Sequence, residues 1–295
     1  MRLLWMRMKQ MRTRKRQQVQ AALLPMYLFT LVFVMGPLVY MIALSFMRKQ
    51  GSWGMEAVFN LRNYARILEP VYLGTFKQSI KLAFISTFTV LLAGYPFGYF
   101  MAKLGARRRS IVMVLLIIPF WTSALLRLYG WIIFFRANGI LDSLLMRLRI
   151  TEEPLRLLYT YPAVVTGMIY GLLPFMIYSV YTSAEKLDRG LVEAARNLGA
   201  SRFRAFLTVS FPLTMPGLFS GFVLTFIPSM GLFFLAEILG GNKVVLVGNL
   251  IQEQLLKSHD WPFAAALSAV LMILTGVFIA FYRKFTRSDE LEGLV

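Results

Sequence analysis

Hydrophobic residues are concentrated in six long blocks that are separated by polar and basic stretches. The blocks occupy residues 21–46, 77–101, 110–135, 161–183, 211–237 and 262–282. An α-helix needs about 20 apolar residues to cross about 30 Å of hydrocarbon, and each block is long enough to do so. The pattern therefore predicts an all-α polytopic membrane protein with six transmembrane helices in a single domain.

The charged residues lie mainly between the blocks and are divided unequally between the two sides of the membrane. The chain carries 32 Lys and Arg against 14 Asp and Glu, a formal net charge of +18. With the amino terminus placed inside, 19 of the 32 basic residues fall in cytoplasmic segments. This bias predicts that both termini are cytoplasmic. We attribute the charge to membrane topology and expect no nucleic-acid partner.

The blocks and the charges together divide the chain into segments. We expect a basic cytoplasmic segment at 1–20, a transmembrane domain at 21–283 with a cytoplasmic loop at 184–210, and a cytoplasmic tail at 284–295. The first apolar block is too long for a secretory signal, and no small-residue cleavage site follows it. It is therefore expected to be retained as the first span.

Residues 47–76, between the first two blocks, are predicted to lie outside. Phe59, Tyr64, Ile67 and Leu68 have helix-like spacing there. A short helix at the outer interface accounts for this spacing, and a plain loop with aromatic anchors is the alternative.

Proline and glycine interrupt several of the predicted helices. The second block contains Gly94, Pro96 and Gly98, and the fifth contains Pro216 and Pro228. Proline breaks the backbone hydrogen-bond ladder, and glycine allows helices to approach closely. The pattern suits a transporter, although both residues are also common in other membrane helices.

Residues that could catalyse a reaction or bind a metal are scarce. The chain has no cysteine and a single histidine, His259, and its apolar blocks contain no cluster of carboxylates. It also has no Gly-rich nucleotide loop of the Walker type. The sequence therefore argues against a membrane-embedded enzyme and predicts no catalytic residue, no metal site and no cofactor on this chain.

The predicted cytoplasmic loop reads as two short helices joined by a turn. Asp188 is a suitable N-cap, and Gly199 supplies the residue that can end a helix in a left-handed conformation. Leu191, Ala194 and Ala195 share one face at a spacing of three to four residues. An apolar face in water either docks on a partner or packs back on the protein's own helix ends, and these residues alone leave both readings open.

The same loop resembles the EAA loop of ABC-importer permeases. It contains Glu193-Ala194-Ala195, then Gly199, then Val209 and Phe211-Pro212 at the spacing of that family, with Val209 and Phe211 in place of the usual Ile and Leu. The resemblance implies the type I ABC importer permease fold, with a coupling helix that docks on a cytoplasmic ATPase. The residues that it places in this contact are Asp188, Leu191, Glu193, Ala194, Ala195 and Gly199.

The resemblance also implies an assembly around this chain. A second homologous permease subunit would complete the pore as a heterodimer, two ATPase subunits would dock on the EAA loops, and an external solute-binding protein would deliver the cargo. Membrane lipid would surround the chain. ATP and magnesium would bind the partner ATPase and not this chain.

Four further segments indicate which cargo the chain carries. Residues 119–130, 212–217, 230–233 and 260–264 resemble the spermidine/putrescine permeases, and the chain looks most like the first of their two permease subunits. Related permeases for thiamine, ferric iron and phosphonate share parts of these segments, so those cargoes stay open. An ATP-independent channel is a further alternative, but it leaves the EAA-like loop unexplained.

A polyamine site is expected to combine carboxylates with aromatic faces, because the ligand is a flexible polycation. Glu237 stands at the predicted outer end of the fifth span, with Phe226, Met230 and Phe233 along one helical face before it. Alternatively, Glu237 ends the span in headgroup water or pairs with Arg127. Three further candidates, which could instead anchor spans or fill the core, are Trp121, Tyr129 and Tyr170.

Overall fold

A computed structural model describes residues 24–51, 54–241 and 243–292 of the chain. The predicted basic segment 1–20 and the last three residues of the predicted tail lie outside these ranges. The helices are α1 (Leu24–Ser45), α2 (Arg62–Ile67), α3 (Pro70–Met101), α4 (Ala106–Ile117), α5 (Ala124–Phe135), α6 (Ile140–Arg147), α7 (Tyr161–Glu185), α8 (Arg189–Asn197), α9 (Arg202–Ala205), α10 (Phe211–Gly231), α11 (Phe233–Gly240), α12 (Val247–Leu256) and α13 (Trp261–Glu292).

Six helical segments are long and apolar enough to cross a membrane, which confirms the predicted number of spans. They are Leu24–Ser45, Pro70–Met101, Ala124–Arg147, Tyr161–Glu185, Arg202–Gly231 and Trp261–Tyr282. The last helix continues to Glu292, into the predicted tail. Which side of the membrane each end occupies remains a prediction from the charge bias.

The third block is not one helix, contrary to the prediction of a span over 110–135. Helix α4 passes into a 3₁₀ turn at Ile118–Trp121, and Thr122 is extended before α5 begins. Pro119 lies in that turn, and proline has no amide hydrogen with which to continue an α-helical ladder. The candidate span in this region therefore starts later, at Ala124.

The fifth block is also interrupted, so the expected continuous helix over 211–237 is wrong at its C-terminal part. Helix α10 ends at Gly231, and Leu232 leaves the helical conformation with φ −78° and ψ 50°. Helix α11 then begins at Phe233. Glycine is a weak helix former, so the chain can turn after Gly231 at little cost.

Residue contacts group the chain into two compact units, where the sequence had suggested one. Among the described residues, one unit comprises those up to Ala65 together with Gln254–Ala269, and the other comprises those from Arg66 to Glu253 and from Val270 onward. Hydropathy locates helices along a sequence but does not say which of them pack together. That is why the sequence presented a single domain.

In the first unit, the segment after α1 forms a small hairpin and the start of α2. Strands β1 (Arg48–Gln50) and β2 (Gly54–Glu56) pair antiparallel, which the all-α prediction missed. The predicted short helix is present as α2, and Asn63 on it donates through Nδ2 to the carbonyls of Ser45 and Met47, each at 2.9 Å. Phe59 lies before the helix and stacks on Phe46 with ring centroids 5.1 Å apart.

In the second unit, α3 and α10 both pack against α7, and these three helices form the core of the unit. At Gly98 of α3, a Cβ atom would lie 2.7 Å from the backbone oxygen of Ile177 on α7. At Gly217 of α10, a Cβ atom would lie 2.7 Å from the backbone oxygen of Ser179 on α7. Because backbone atoms cannot move aside cheaply, glycine is required at both contacts.

Replacing Gly98 by alanine is expected to separate α3 from α7. Forcing an extra methyl group into packed structure typically costs about 1–3 kcal/mol, so the thermal midpoint of the purified protein should fall. The control is Gly171→Ala on α7, where an added Cβ would meet nothing within 4 Å. Equal midpoints for the two variants would contradict the close approach.

Candidate functional site

The segment between α7 and α10 has the helix–turn–helix structure predicted for the cytoplasmic loop. Oδ1 of Asp188 accepts a hydrogen bond from the amide of Gly190 at 2.8 Å and caps α8. Gly199 follows the helix with φ +90°, a conformation that side chains disfavour. Oγ of Ser201 then accepts from the amide of Arg204 at 3.2 Å and caps α9. We call residues 184–210 the coupling segment.

The coupling segment exposes part of its apolar face. The side chain of Leu191 is 49% exposed and that of Leu198 is 90% exposed. Ala194 and Glu193 are also exposed, and Ala195 is half-buried. The chain's own helix ends therefore leave this face largely uncovered, which favours the docking reading of the sequence over the alternative in which the face packs back.

Aromatic side chains attach the coupling segment to the membrane helices. The ring of Phe206 meets the ring of Tyr99 on α3 edge-on, with centroids 5.3 Å apart. Tyr95 on α3 meets Phe211, the first residue of α10, at 5.6 Å, and its hydroxyl lies 2.8 Å from Oγ1 of Thr214. The segment is therefore joined to α3 and α10 by packed rings.

This aromatic attachment was missed by the sequence analysis. Tyr95 lies within the Gly94–Gly98 region and Tyr99 directly after it, and the sequence analysis considered only the glycines and the proline of that region. The available signal was two tyrosines four residues apart, on one face of a predicted helix. An ion pair between Arg109 on α4 and Glu185, the last residue of α7, adds a second attachment.

Two of the predicted pathway residues are core residues in this structure. Phe226 and Met230 are buried, and they pack with Ala83 of α3. The ring of Phe226 also stacks on Phe278 of α13, with centroids 4.4 Å apart. Their side chains face the interior of the second unit, and their part in a substrate path stays a prediction.

Glu237 and Phe233 lie on α11, beyond the break at Leu232, so they do not continue the helical face of Phe226 and Met230 as predicted. The Glu237 side chain is exposed, and Phe233 is half-buried. Within the described ranges, Glu237 forms no ion pair with Arg127. Nη1 of Arg127 instead donates to the carbonyl of Pro119 at 2.9 Å, and its guanidinium lies 4.5 Å from the ring centroid of Phe120.

The remaining aromatic candidates are dispersed. Trp121 in the 3₁₀ turn and Tyr129 on α5 are exposed. Tyr170 on α7 packs edge-on against Trp131 of α5, with centroids 5.5 Å apart. The structure brings none of these three into contact with Glu237 among the residues that it describes, and their part in a substrate path stays a prediction.

The fold and the coupling segment agree with the family to which the sequence is similar. Residues 94–288 match the family model of the binding-protein-dependent transport system inner membrane component. The chain belongs to this family. The permease is accordingly a multi-pass inner-membrane protein and a transport component rather than an enzyme, and it works with a solute-binding protein.

Curated relatives of this permease match most of its length. The spermidine/putrescine transport system permease protein PotB of Salmonella typhimurium (strain SL1344) is 43% identical over 256 residues, which cover 87% of this chain and 89% of the relative. PotB of Escherichia coli (strain K12) is 42% identical over the same share of this chain and 93% of its own. The inner membrane ABC transporter permease protein YdcU of Escherichia coli (strain K12) is 27% identical, covering 80% of this chain and 76% of its own.

Solved structures share the fold at low sequence identity. A chain from a bacterial alginate ABC transporter, crystallised with an alginate-bound periplasmic protein, matches with a TM-score of 0.77 and 14% identity. The match covers 94% of this chain and 96% of that one. An amino acid ABC transporter chain matches with a TM-score of 0.51 and 15% identity, covering 78% and 99%. The permease therefore has the fold of ABC importer membrane chains.

Proposed function

We propose that this permease is one of two membrane subunits of an ATP-driven polyamine importer. The observation that carries the proposal is the identity of about two residues in five, over 87% of the chain, to relatives named as spermidine/putrescine permeases. Identity of this extent includes the spans as well as the EAA-like loop, so it supports the cargo class as well as the transport role.

The coupling segment is proposed to dock on a cytoplasmic ATPase. Leu191 and Ala194 would enter a groove of the ATPase, since both are exposed and Ala194 allows close backbone approach. Glu193 would accept hydrogen bonds from the partner, and Asp188 and Gly199 hold the ends of α8. Ala195 is half-buried and, like Ala194, allows close approach of the partner's backbone. Two ATPase copies would bind ATP and magnesium, and the permease would bind neither.

A second, homologous permease is proposed to complete the pore. Most of α1 is exposed, with Leu44 and Ser45 buried at its end, so this helix is available to lipid or to another subunit. Both termini are proposed to be cytoplasmic, on the side of the ATPase. Glu237 on the exposed surface of α11 is proposed to contact the polyamine from this half of the pore.

Deleting the gene is expected to abolish uptake of labelled spermidine and putrescine in cells that have no second polyamine importer. Thiamine and ferric iron uptake serve as controls, and the wild-type chain should restore the loss. If polyamine uptake stays intact and uptake of a control cargo is lost, the assignment of polyamines as the cargo is contradicted. The assignment as a permease is unaffected by that result.

For Glu193→Ala, we expect loss of uptake with normal insertion into the membrane. A hydrogen bond to a charged group contributes about 1.5–3 kcal/mol, so coupling should weaken by about tenfold or more. Uptake and ATPase activity of the purified complex are the measurements. The matched control is Glu153→Ala, which removes an exposed carboxylate outside the coupling segment; uptake by Glu193→Ala at the control's rate would refute the coupling role.

Glu237→Gln is expected to raise the KM for polyamine uptake, because it removes a negative charge that would face a polycation. Near-surface ion pairs contribute up to about 1 kcal/mol, so the rise should be up to about fivefold. Glu237→Asp keeps the charge and should retain most of the affinity. If both variants transport with wild-type kinetics, Glu237 has no part in polyamine recognition.

A further inference from the structure

A large apolar groove lies where α3, the coupling segment and α10 meet. Its volume is about 1060 Å³, at the upper end of the range for ligand-binding cavities. The wall is made mainly of aliphatic and aromatic side chains, among them Leu91, Leu92, Phe100, Phe206 and Leu218. The fold leaves Leu92 and Phe100 exposed on it, so something other than this chain covers them.

The rim of the groove is basic. Lys103 after α3, Arg196 on α8 and Arg202 on α9 are among the lining residues, and all three side chains are exposed. The lining residues include no Asp or Glu, and no ion pair joins these three cations to an acidic side chain in the described part of the chain. Nζ of Lys103 lies 4.1 Å from the ring centroid of Tyr99, which holds the ammonium at the edge of the apolar wall.

The depth of the groove corresponds to one leaflet. From Leu91 to the end of α3 at Met101, the helix rises about 15 Å at about 1.5 Å per residue. Half of a hydrocarbon core of about 30 Å is the same length. A molecule with an apolar tail in the groove would therefore hold its head at the level of the three cations.

A buried polar group lies on the same wall. Ser210 is fully buried, and in the described structure its hydroxyl has no hydrogen-bond partner. A buried hydroxyl without a partner typically costs about 1–3 kcal/mol, so an added acceptor would be favourable. Because the hydroxyl is fully enclosed, a lipid ester oxygen would reach it only after a shift of the lining side chains.

We propose that this groove binds one anionic phospholipid from the leaflet on the side of the coupling segment. An acyl chain occupies the apolar wall, and the phosphate and headgroup contact Lys103, Arg196 and Arg202. Because Lys103 follows α3 while the two arginines belong to the coupling segment, the headgroup bridges these parts of the permease. The bound lipid thereby braces the coupling segment against α3, and transport depends on anionic lipid.

The direct test is lipid retention by the purified transporter complex. The complex is reconstituted into nanodiscs of equal parts phosphatidylcholine and phosphatidylglycerol, and the lipid that remains bound to this chain is measured by native mass spectrometry. We expect phosphatidylglycerol to be enriched. Each basic residue near a membrane surface favours anionic lipid by about fivefold, so Lys103→Gln should reduce the enrichment by about that factor.

Matched variants separate the groove from general surface charge. Arg107→Gln removes an exposed cation on α4 that does not line the groove, and it should leave the enrichment unchanged. Leu92→Trp fills the groove and should expel the lipid, whereas Leu115→Trp places the same ring on an exposed position outside it. Equal enrichment in wild type, Lys103→Gln and Leu92→Trp would overturn the proposal.

The competing occupant is a helix of the second permease, and crosslinking distinguishes it. Benzoylphenylalanine in place of the exposed Phe100 should yield a lipid adduct on irradiation of native membranes. A crosslink to another polypeptide would show that protein covers the groove and would refute the lipid site. Neither lipid retention nor crosslinking depends on the cargo, so these results test the lipid site independently of the proposed polyamine transport.

Discussion

The close approach of α3 and α10 to α7 is the constraint on which the second unit depends. Gly98 and Gly217 let the backbones of α3 and α10 come near the carbonyl oxygens of Ile177 and Ser179 on α7. In a membrane, apolar side chains gain little by leaving lipid for a protein interior, so association relies on packing and on interhelical hydrogen bonds. Small residues at the contacts supply the packing here. The hydroxyl contact between Tyr95 and Thr214 adds a polar link between α3 and α10.

That packing also fixes the position of the coupling segment. Tyr95 and Tyr99 lie on α3 on either side of the close contact at Gly98, and their rings meet Phe211 and Phe206 respectively. The segment is therefore held on one side by rings anchored in the helix core. Its other side carries Leu191 and Leu198, which remain exposed. One side is thus packed on the membrane helices, and the other is the side proposed to receive the ATPase.

Local features of the site could be predicted from the sequence, whereas long-range burial could not. Asp188 and Gly199 act through neighbouring backbone groups, so their effects follow from local sequence, and the structure confirms both helix ends. The helix interruptions near Pro119 and Gly231 also follow from local chemistry. Proline and glycine are so common in membrane helices, however, that their presence does not show at which of them a helix is interrupted. The burial of Phe226 and Met230 could not be predicted, because helical period shows which residues share a face and not what that face meets.

The free-energy cost of an exposed leucine side chain depends on whether it lies in a membrane span or outside one. An exposed leucine on α3, such as Leu92, lies in a span and can be solvated by lipid without loss. Leu191 on α8 and Leu198 directly after it lie outside the candidate spans, where leaving a leucine side chain in water forgoes about 1.5–3 kcal/mol of burial. Leu191 and Leu198 therefore gain from a protein partner in a way that Leu92 does not. That difference is why the exposed face of α8 is best explained by protein docking, while the groove beside it, with its basic rim, is suited to a lipid.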